Sequence, residues 1–249
     1  MKRLVLLSFI LLIAGSIEAQ EKIDRKNGDP KLSEVWEPII PVVTPGKTSL
    51  DAPSDGIILF DGKNFNAWKS DSGMIKWTLE EGAMTVKPKS GGISTRQVFG
   101  DCQLHIEWRT PALVSGEGQG RGNSGIFLMG NYEVQVLDNY NNRTYSNGQA
   151  GSIYKQTPPL VNACRPPGEW QSYDIIFIAP KFYNDGRVQS PGRITVIQNG
   201  VLVQFNTTIW GKTEYRGVPE YIKHAPKEPL ILQEHGNLVS YRNIWIREL

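Results

Sequence analysis

The chain has 249 residues, a net charge of +2 without any run of Lys or Arg, and two cysteines. That length suits one large domain or two small ones, and seven Trp and eight Phe supply material for a substantial core. The balanced charge excludes the concentrated basic footprint of a nucleic-acid or membrane-surface protein, and neither cysteine sits in a CxxC or Cys–His spacing that would bind metal.

Residues 1–19 read as a secretory signal: Lys2 and Arg3, an apolar run over 4–14, then small and polar residues ending at Ala19. The run is shorter than the ~20 residues a membrane-spanning helix needs. The expectation is a cleaved leader and a secreted or periplasmic protein without membrane insertion; an uncleaved N-terminal anchor is the alternative. Export permits a bridge between Cys102 and Cys164, but no spacing brings their Cα atoms together, and two buried thiols are the other outcome.

Residues 20–55 are polar and punctuated by Pro38, Pro41, Pro45-Gly46 and Pro53, an extended arm that Trp36, Ile39, Ile40, Val42 and Val43 could pin to the domain. From residue 56 to 249 the texture changes to short apolar or alternating runs between Gly, Asn, Asp and Pro: 57–60, 74–79, 103–109, 125–129, 132–137, 173–179, 193–198, 201–205, 229–233 and 242–247. Their length and their Val, Ile, Tyr, Phe and Trp content predict strands, and no window sustains a helical period with caps. Asn199-Gly200 between two such runs predicts a tight hairpin. Ten or so strands without helices predict an all-β domain, a two-sheet antiparallel sandwich or a barrel.

Alternation sorts side chains onto faces. In 103–109, Leu104, Ile106 and Trp108 oppose Gln103, His105, Glu107 and Arg109. In 132–137, Tyr132, Val134 and Val136 oppose Glu133 and Gln135. Around 230–237, Leu230 and Leu232 oppose Gln233 and His235. One sheet face meeting water accounts for any single strand, but Arg, His, Gln and Glu are also the donors and acceptors that bind sugar hydroxyls. The Gly-rich run 116–125 lacks the strand–GxxxxGK[ST]–helix setting of a phosphate loop; it is a flexible turn or a place where backbone approaches a ligand. A second polar loop, 138–154, brings Asp138, Arg143, Tyr145, Gln149 and Tyr154, side chains suited to one wall of a carbohydrate cleft.

The segments FDGKNFNAW (60–68), GNSGIFLMGNYEVQVLDNY (122–140), GQAGSIY (148–154), PPLVNACRPPGEWQSYDIIFIAPKF (158–182), ITVIQNGVLVQ (194–204) and LQEHGNLVSYRNIWIREL (232–249) resemble, in order, the 3-keto-disaccharide hydrolase domain family. The resemblance implies a concanavalin A-like jelly-roll sandwich and action on glycosides whose glucose unit carries a ketone at carbon 3. Cys164 stands where the family pattern carries Ser, which weakens the case for a bridge.

A ketone at carbon 3 acidifies the hydrogen on carbon 2. A base removes it, the glycosidic oxygen leaves carbon 1 by β-elimination, and water adds back to complete a net hydrolysis. The scheme needs a base, donors for the enolate oxygen and an acid for the leaving group. Glu133 and His235 are the candidate catalytic residues. Arg109, Asn123 and Gln135 are candidates for holding the enolate or sugar hydroxyls, with Asp138, Tyr154 and Gln233 as further substrate-binding candidates. Glu133, Asp138, Glu234 and His235 offer oxygen and imidazole donors that suit a divalent ion, though no spacing requires one. A conventional endoglycanase on this fold would carry a Glu-x-Asp-x-x-Glu strand, a pattern that YEVQVLDN breaks. A non-catalytic carbohydrate-binding module would present exposed aromatics without an ionisable cluster.

Overall fold

The structure, a computed structural model, describes residues 27–249; the expected leader at 1–19 lies outside the described residues. The described chain falls into two units divided after Val42. The first holds one short 3-10 turn, Pro30–Ser33, whose N-cap Asp29 accepts a hydrogen bond from the Lys31 amide at 3.0 Å. Trp36, Ile39, Ile40 and Val42 are exposed, so these apolar side chains do not bury as the sequence leads one to expect.

In the second unit, Val43–Leu249, fifteen strands follow one another: β1 Ile57–Phe60, β2 Trp68–Lys69, β3 Thr78–Glu80, β4 Ala83–Thr85, β5 Ile93–Phe99, β6 Cys102–Arg109, β7 Ser124–Leu128, β8 Tyr132–Val136, β9 Gln171–Ile178, β10 Lys181–Phe182, β11 Val188–Ser190, β12 Arg193–Gln198, β13 Val201–Thr208, β14 Glu228–Leu232 and β15 Ser240–Glu248. An eight-stranded sheet runs β13-β12-β9-β6-β15-β4-β3 with β1 also paired to β15; a five-stranded sheet runs β2-β5-β14-β7-β8; β10 and β11 form a small third ribbon. Every pairing is antiparallel. The protein is therefore all-β and of the β-sandwich type.

The period-2 alternation builds the core. Leu104, Ile106 and Trp108 of β6, Tyr173, Ile175 and Phe177 of β9, and Ile126, Val134, Val136, Leu230 and Leu232 of the smaller sheet are all buried in one cluster. Buried hydroxyls stitch the sheets together where an apolar pair would leave a carbonyl unsatisfied. Tyr173 donates to the Gln135 carbonyl at 2.8 Å, and Tyr241 donates to Ser124 Oγ at 2.6 Å, which donates on to the Gln233 carbonyl at 2.7 Å. The Asn199-Gly200 hairpin forms as expected, with φ of +53° and +81° at the two turn residues.

Strand β5 escapes a pattern search because its centre is polar and irregular. Its register with β14 slips between Pro229 and Ile231. There the Thr95 hydroxyl accepts from the Leu230 amide at 3.0 Å and donates to the Gln97 carbonyl at 2.6 Å, standing in for missing ladder bonds. Of the two outcomes open for the cysteines, the unbridged one holds: Cys102 and Cys164 are both free thiols, Cys102 buried and Cys164 half-buried, and burial pushes Cys102 up to about 12.

Candidate active site

The outer face of the five-stranded sheet carries the site. Every residue of β8 is buried, on both faces, so Glu133 and Gln135 do not face bulk water. On one side β7 pairs with β8 in a register that sets Phe127 opposite Glu133 and Gly125 opposite Gln135. On the other side the segment 151–154 adds a further run of ladder bonds: the Gln135 amide donates to the Ser152 carbonyl at 3.0 Å and the Tyr154 amide to the Glu133 carbonyl at 3.1 Å. Beyond β14, the Gln233 amide donates to the Gly125 carbonyl at 2.9 Å. Alternation across these paired segments collects Gln233, Gly125, Gln135, Glu133 and Tyr154 on one surface.

A cavity of about 270 Å³ opens on that surface, lined by Asn123, Phe127, Glu133, Gln135, Tyr154, Thr213, Tyr215, Gln233 and His235. Six of the eight site residues expected from the sequence meet here: Glu133, His235, Asn123, Gln135, Tyr154 and Gln233. A larger cavity of about 540 Å³, lined in part by Lys181, Phe182, Lys223, His224 and Lys227, offers less chemistry because its groups are mostly engaged. Lys227 pairs with Glu248, Lys223 donates to the Asn184 carbonyl, and His224 is bonded to the Tyr132 hydroxyl and the Ala225 carbonyl.

Two expected residues lie elsewhere. Arg109 is on β6 of the larger sheet, its guanidinium 4.6 Å from the centroid of Trp170. Alternation placed it correctly beside His105 and Glu107, but period alone does not say which sheet a face belongs to. That face is also not displayed to solvent. His105 is wholly buried, its Nδ1 is 2.7 Å from Asp174 Oδ1, and it stacks on Trp245. Glu107 accepts from Arg242 Nε at 2.6 Å and from Asn243 Nδ2 at 2.9 Å. Burial pushes the His105 imidazole down, but the Asp174 and Glu107 carboxylates outweigh it and hold it at about 9. Asp138 is also away from the cavity. It accepts from Arg121 Nε at 2.7 Å and from the Tyr140 amide at 3.1 Å, which makes it a pin for its own loop.

The Gly-rich run likewise braces the 138–154 loop. The Gly118 amide donates to Asn142 Oδ1 at 2.8 Å, and Gln119 Nε2 donates to the Gly148 carbonyl at 2.7 Å. Thr213, Tyr215 and Phe127 were not anticipated. Phe127 was legible, since it shares parity with Gly125 on β7 and with Asn123 just before it. Thr213 and Tyr215 come from a loop that carries no periodic signal. The Glu133 amide donates to Thr213 Oγ1 at 2.9 Å, and the Thr213 amide donates to the Asn131 carbonyl at 2.8 Å.

Glu133 is the distinctive group. It is only 4% exposed, its carboxylate has no hydrogen bond or ion pair among the described residues, and burial alone pushes it up to about 8. Its side chain lies over Gly125, where a Cβ would sit 3.0 Å from Glu133 Cδ and 2.9 Å from Phe127 Cε2; the missing side chain makes the room the carboxylate occupies. The amides nearby leave two acceptors unpaired. Gln135 Nε2 donates to Asn123 Oδ1 at 3.2 Å and Asn123 Nδ2 to the Gln119 carbonyl at 2.7 Å, while Gln135 Oε1 and Gln233 Oε1 are buried without partners. Those two oxygens suit the hydroxyl donors of a sugar.

Beside Glu133 the Tyr154 and Tyr145 hydroxyls are 2.7 Å apart. Burial raises both phenols, most strongly Tyr154. Lys155 donates to the Tyr215 carbonyl at 2.6 Å, its ammonium 4.3 Å from the Tyr215 ring centroid. His235 is exposed at the mouth. The four residues considered as metal donors do not converge: Asp138 is tied to Arg121, Glu234 Oε1 accepts from the Gly236 amide, and no group of three or more His, Cys, Asp or Glu forms among the described residues.

Comparison with known proteins finds relatives of this chain. A candidate glycosyl hydrolase from Parabacteroides distasonis ATCC 8503, solved by crystallography, is 54% identical with a TM-score of 0.85, covering 89% of this chain and 97% of its own. A second from the same organism, 22% identical with a TM-score of 0.58 over 78% of this chain and 94% of its own, shares the fold. A curated 3-keto-disaccharide hydrolase of Bacteroides thetaiotaomicron is 30% identical over 51% of this chain, and the match spans 55% of that relative's length. The family model described as the 3-keto-alpha-glucoside-1,2-lyase-like domain matches residues 55–247. The chain belongs to the 3-keto-alpha-glucoside-1,2-lyase-like domain family.

Proposed function

We propose that this protein is a carbohydrate-active enzyme that cleaves 3-keto glycosides by proton abstraction at carbon 2 and elimination of the group on carbon 1. Family membership supports the substrate class, and one observation carries the chemistry: a buried, unpaired carboxylate at Glu133 on the wall of a polar cavity. A base raised to about 8 is better matched to a carbon acid beside a ketone than a solvated carboxylate is. The carbon 2 proton passes to Glu133, and its bonding pair forms the carbon 2–carbon 3 double bond as the ketone becomes an enolate. The enolate collapses, the carbon 1–oxygen bond breaks, and the departing oxygen takes a proton from an N–H of His235 at the mouth. Water then adds across the new carbon 1–carbon 2 double bond, its oxygen to carbon 1 as His235 takes back a proton and Glu133 returns its proton to carbon 2, which completes net hydrolysis and resets both residues. Gln135 Oε1 and Gln233 Oε1 receive sugar hydroxyls. The sandwich is best read as a concanavalin A-like jelly roll, and the protein as exported through the leader at 1–19.

A conventional glycosidase is less favoured, because that mechanism needs two carboxylates across the scissile bond and Glu133 is the one carboxylate lining this cavity. The test is incubation with a 3-keto disaccharide and with its unoxidised parent. Loss of the keto substrate alone is expected. Cleavage of the parent alone would indicate the conventional mechanism, and binding of either without turnover would reduce the protein to a binding module.

A further inference from the structure

We infer that the Tyr154 hydroxyl is the donor that stabilises the enolate oxygen, with Tyr145 holding it in place from behind. The inference rests on the proposed elimination at carbon 2 and adds a catalytic residue to it. That step puts negative charge on the oxygen at carbon 3, next to the carbon that loses its proton. A donor for it must therefore stand beside the base, on the same wall of the cavity.

The hydrogen-bond inventory narrows the choice. The amides suited to this task are partly committed to one another: Gln135 Nε2 donates to Asn123 and Asn123 Nδ2 to the Gln119 carbonyl. The buried, unpartnered Oε1 atoms of Gln135 and Gln233 are acceptors, which repel an anion. Arg109 is on the other sheet, beside Trp170. Tyr154 is held next to Glu133 by the bond from its own amide to the Glu133 carbonyl, and it lines the same cavity. Its oxygen is 2.7 Å from the Tyr145 hydroxyl. If Tyr145 donates to Tyr154, the Tyr154 proton is free to point into the cavity, and each bond in such a chain polarises the next. Burial keeps both phenols protonated, so the donor persists through the pH range in which Glu133 ionises.

The step balances without any outside reagent. As the carbon 2 proton moves to Glu133, the carbonyl π pair moves onto oxygen and the Tyr154 O–H bond shortens its contact with that oxygen. When the enolate collapses, the carbonyl re-forms, the hydrogen bond relaxes and the leaving group departs. Tyr154 ends as it began.

The probe is 1,5-anhydroglucitol oxidised at carbon 3, which has no glycosidic group on carbon 1. Incubated with the protein in heavy water, it reports proton abstraction by exchange at carbon 2, read by NMR separately from exchange at carbon 4. The wild type is expected to catalyse carbon 2 exchange. Tyr154→Phe keeps the ring and loses only the oxygen, and should slow exchange about 10²–10³-fold with little change in KM. Tyr145→Phe should slow it by a smaller factor. Exchange by Tyr154→Phe within a few-fold of wild type overturns the inference while leaving the elimination intact. Should Tyr154→Phe fail to fold, Tyr145→Phe decides: a rate equal to wild type overturns the assignment. A wild type that cleaves 3-keto glycosides yet exchanges nothing at carbon 2 refutes the elimination itself, and the role of Tyr154 with it.

Discussion

Gly125→Ala separates the site's geometry from the stability of the fold. Gly125 has no positive φ, so its backbone accepts alanine without strain. A Cβ there would lie 3.0 Å from Glu133 Cδ and 2.9 Å from Phe127 Cε2, inside the 3.4 Å at which ordinary contact begins, and the nearer carboxylate oxygen is closer still. The obstructing groups are the end of a flexible side chain and a ring edge, so both can move. The Glu133 carboxylate must swing by on the order of 1 Å, a displacement that can cost about 10²-fold in rate. Stability should change little. Alanine regains about 0.5–1 kcal/mol of strand preference, against an off-rotamer cost at Glu133 of about the same size. The expected result is a melting temperature within a few degrees of wild type and a kcat on a 3-keto disaccharide down about 10²-fold. Full activity with unchanged stability would refute the claim that Glu133 acts from its present position.

Glu133→Gln should lower turnover by about 10²-fold or more, and His235→Ala should lower it where the leaving group is poor. In the wild type, kcat/KM should rise with pH as Glu133 loses its proton, with a half-point near 8; a flat profile from pH 6 to 9 removes Glu133 as the base. The buried network on the larger sheet should shape stability instead. His105, raised to about 9, contributes stability that is complete below its unfolded value of 6.5 and is lost as pH climbs to 9. Glu107, lowered to about 2, contributes stability that is complete above 4.5 and is lost as pH falls toward 2. Urea melts across pH should therefore find this contribution largest between those two unfolded values, and His105→Gln should destabilise measurably, because it leaves the buried Glu107 and the half-buried Asp174 each short of one partner. Arg109→Ala should bind and turn over substrate as wild type does, since Arg109 rests on Trp170; a hundredfold loss would put it back in the site.

Much of the site was visible in the alternation of three segments. Glu133 with Gln135 and Gln233 with His235 could be assigned to polar faces from period 2 alone, because successive strand side chains must point to opposite sides of a sheet. The same rule failed for Arg109. It grouped Arg109 correctly with His105 and Glu107, yet β6 pairs with β9 and β15 in the larger sheet, away from β7, β8 and β14. Strand β5 was missed because a register slip and the hydroxyl of Thr95 replace regular ladder bonds, and local pattern carries no trace of a partner strand.

From the amino acids alone came the all-β class, the Asn199-Gly200 hairpin, the family resemblance and the identity of most cavity-lining side chains, since propensity, turn chemistry and face parity are local properties. Folding decided which polar face closes into a cavity and which becomes a buried ionic network. It also brought in Thr213 and Tyr215 from a distant loop, and left one carboxylate without a counter-charge. Those outcomes depend on which strands become neighbours and on the low dielectric their packing creates, and both are set by contacts between residues far apart in the chain.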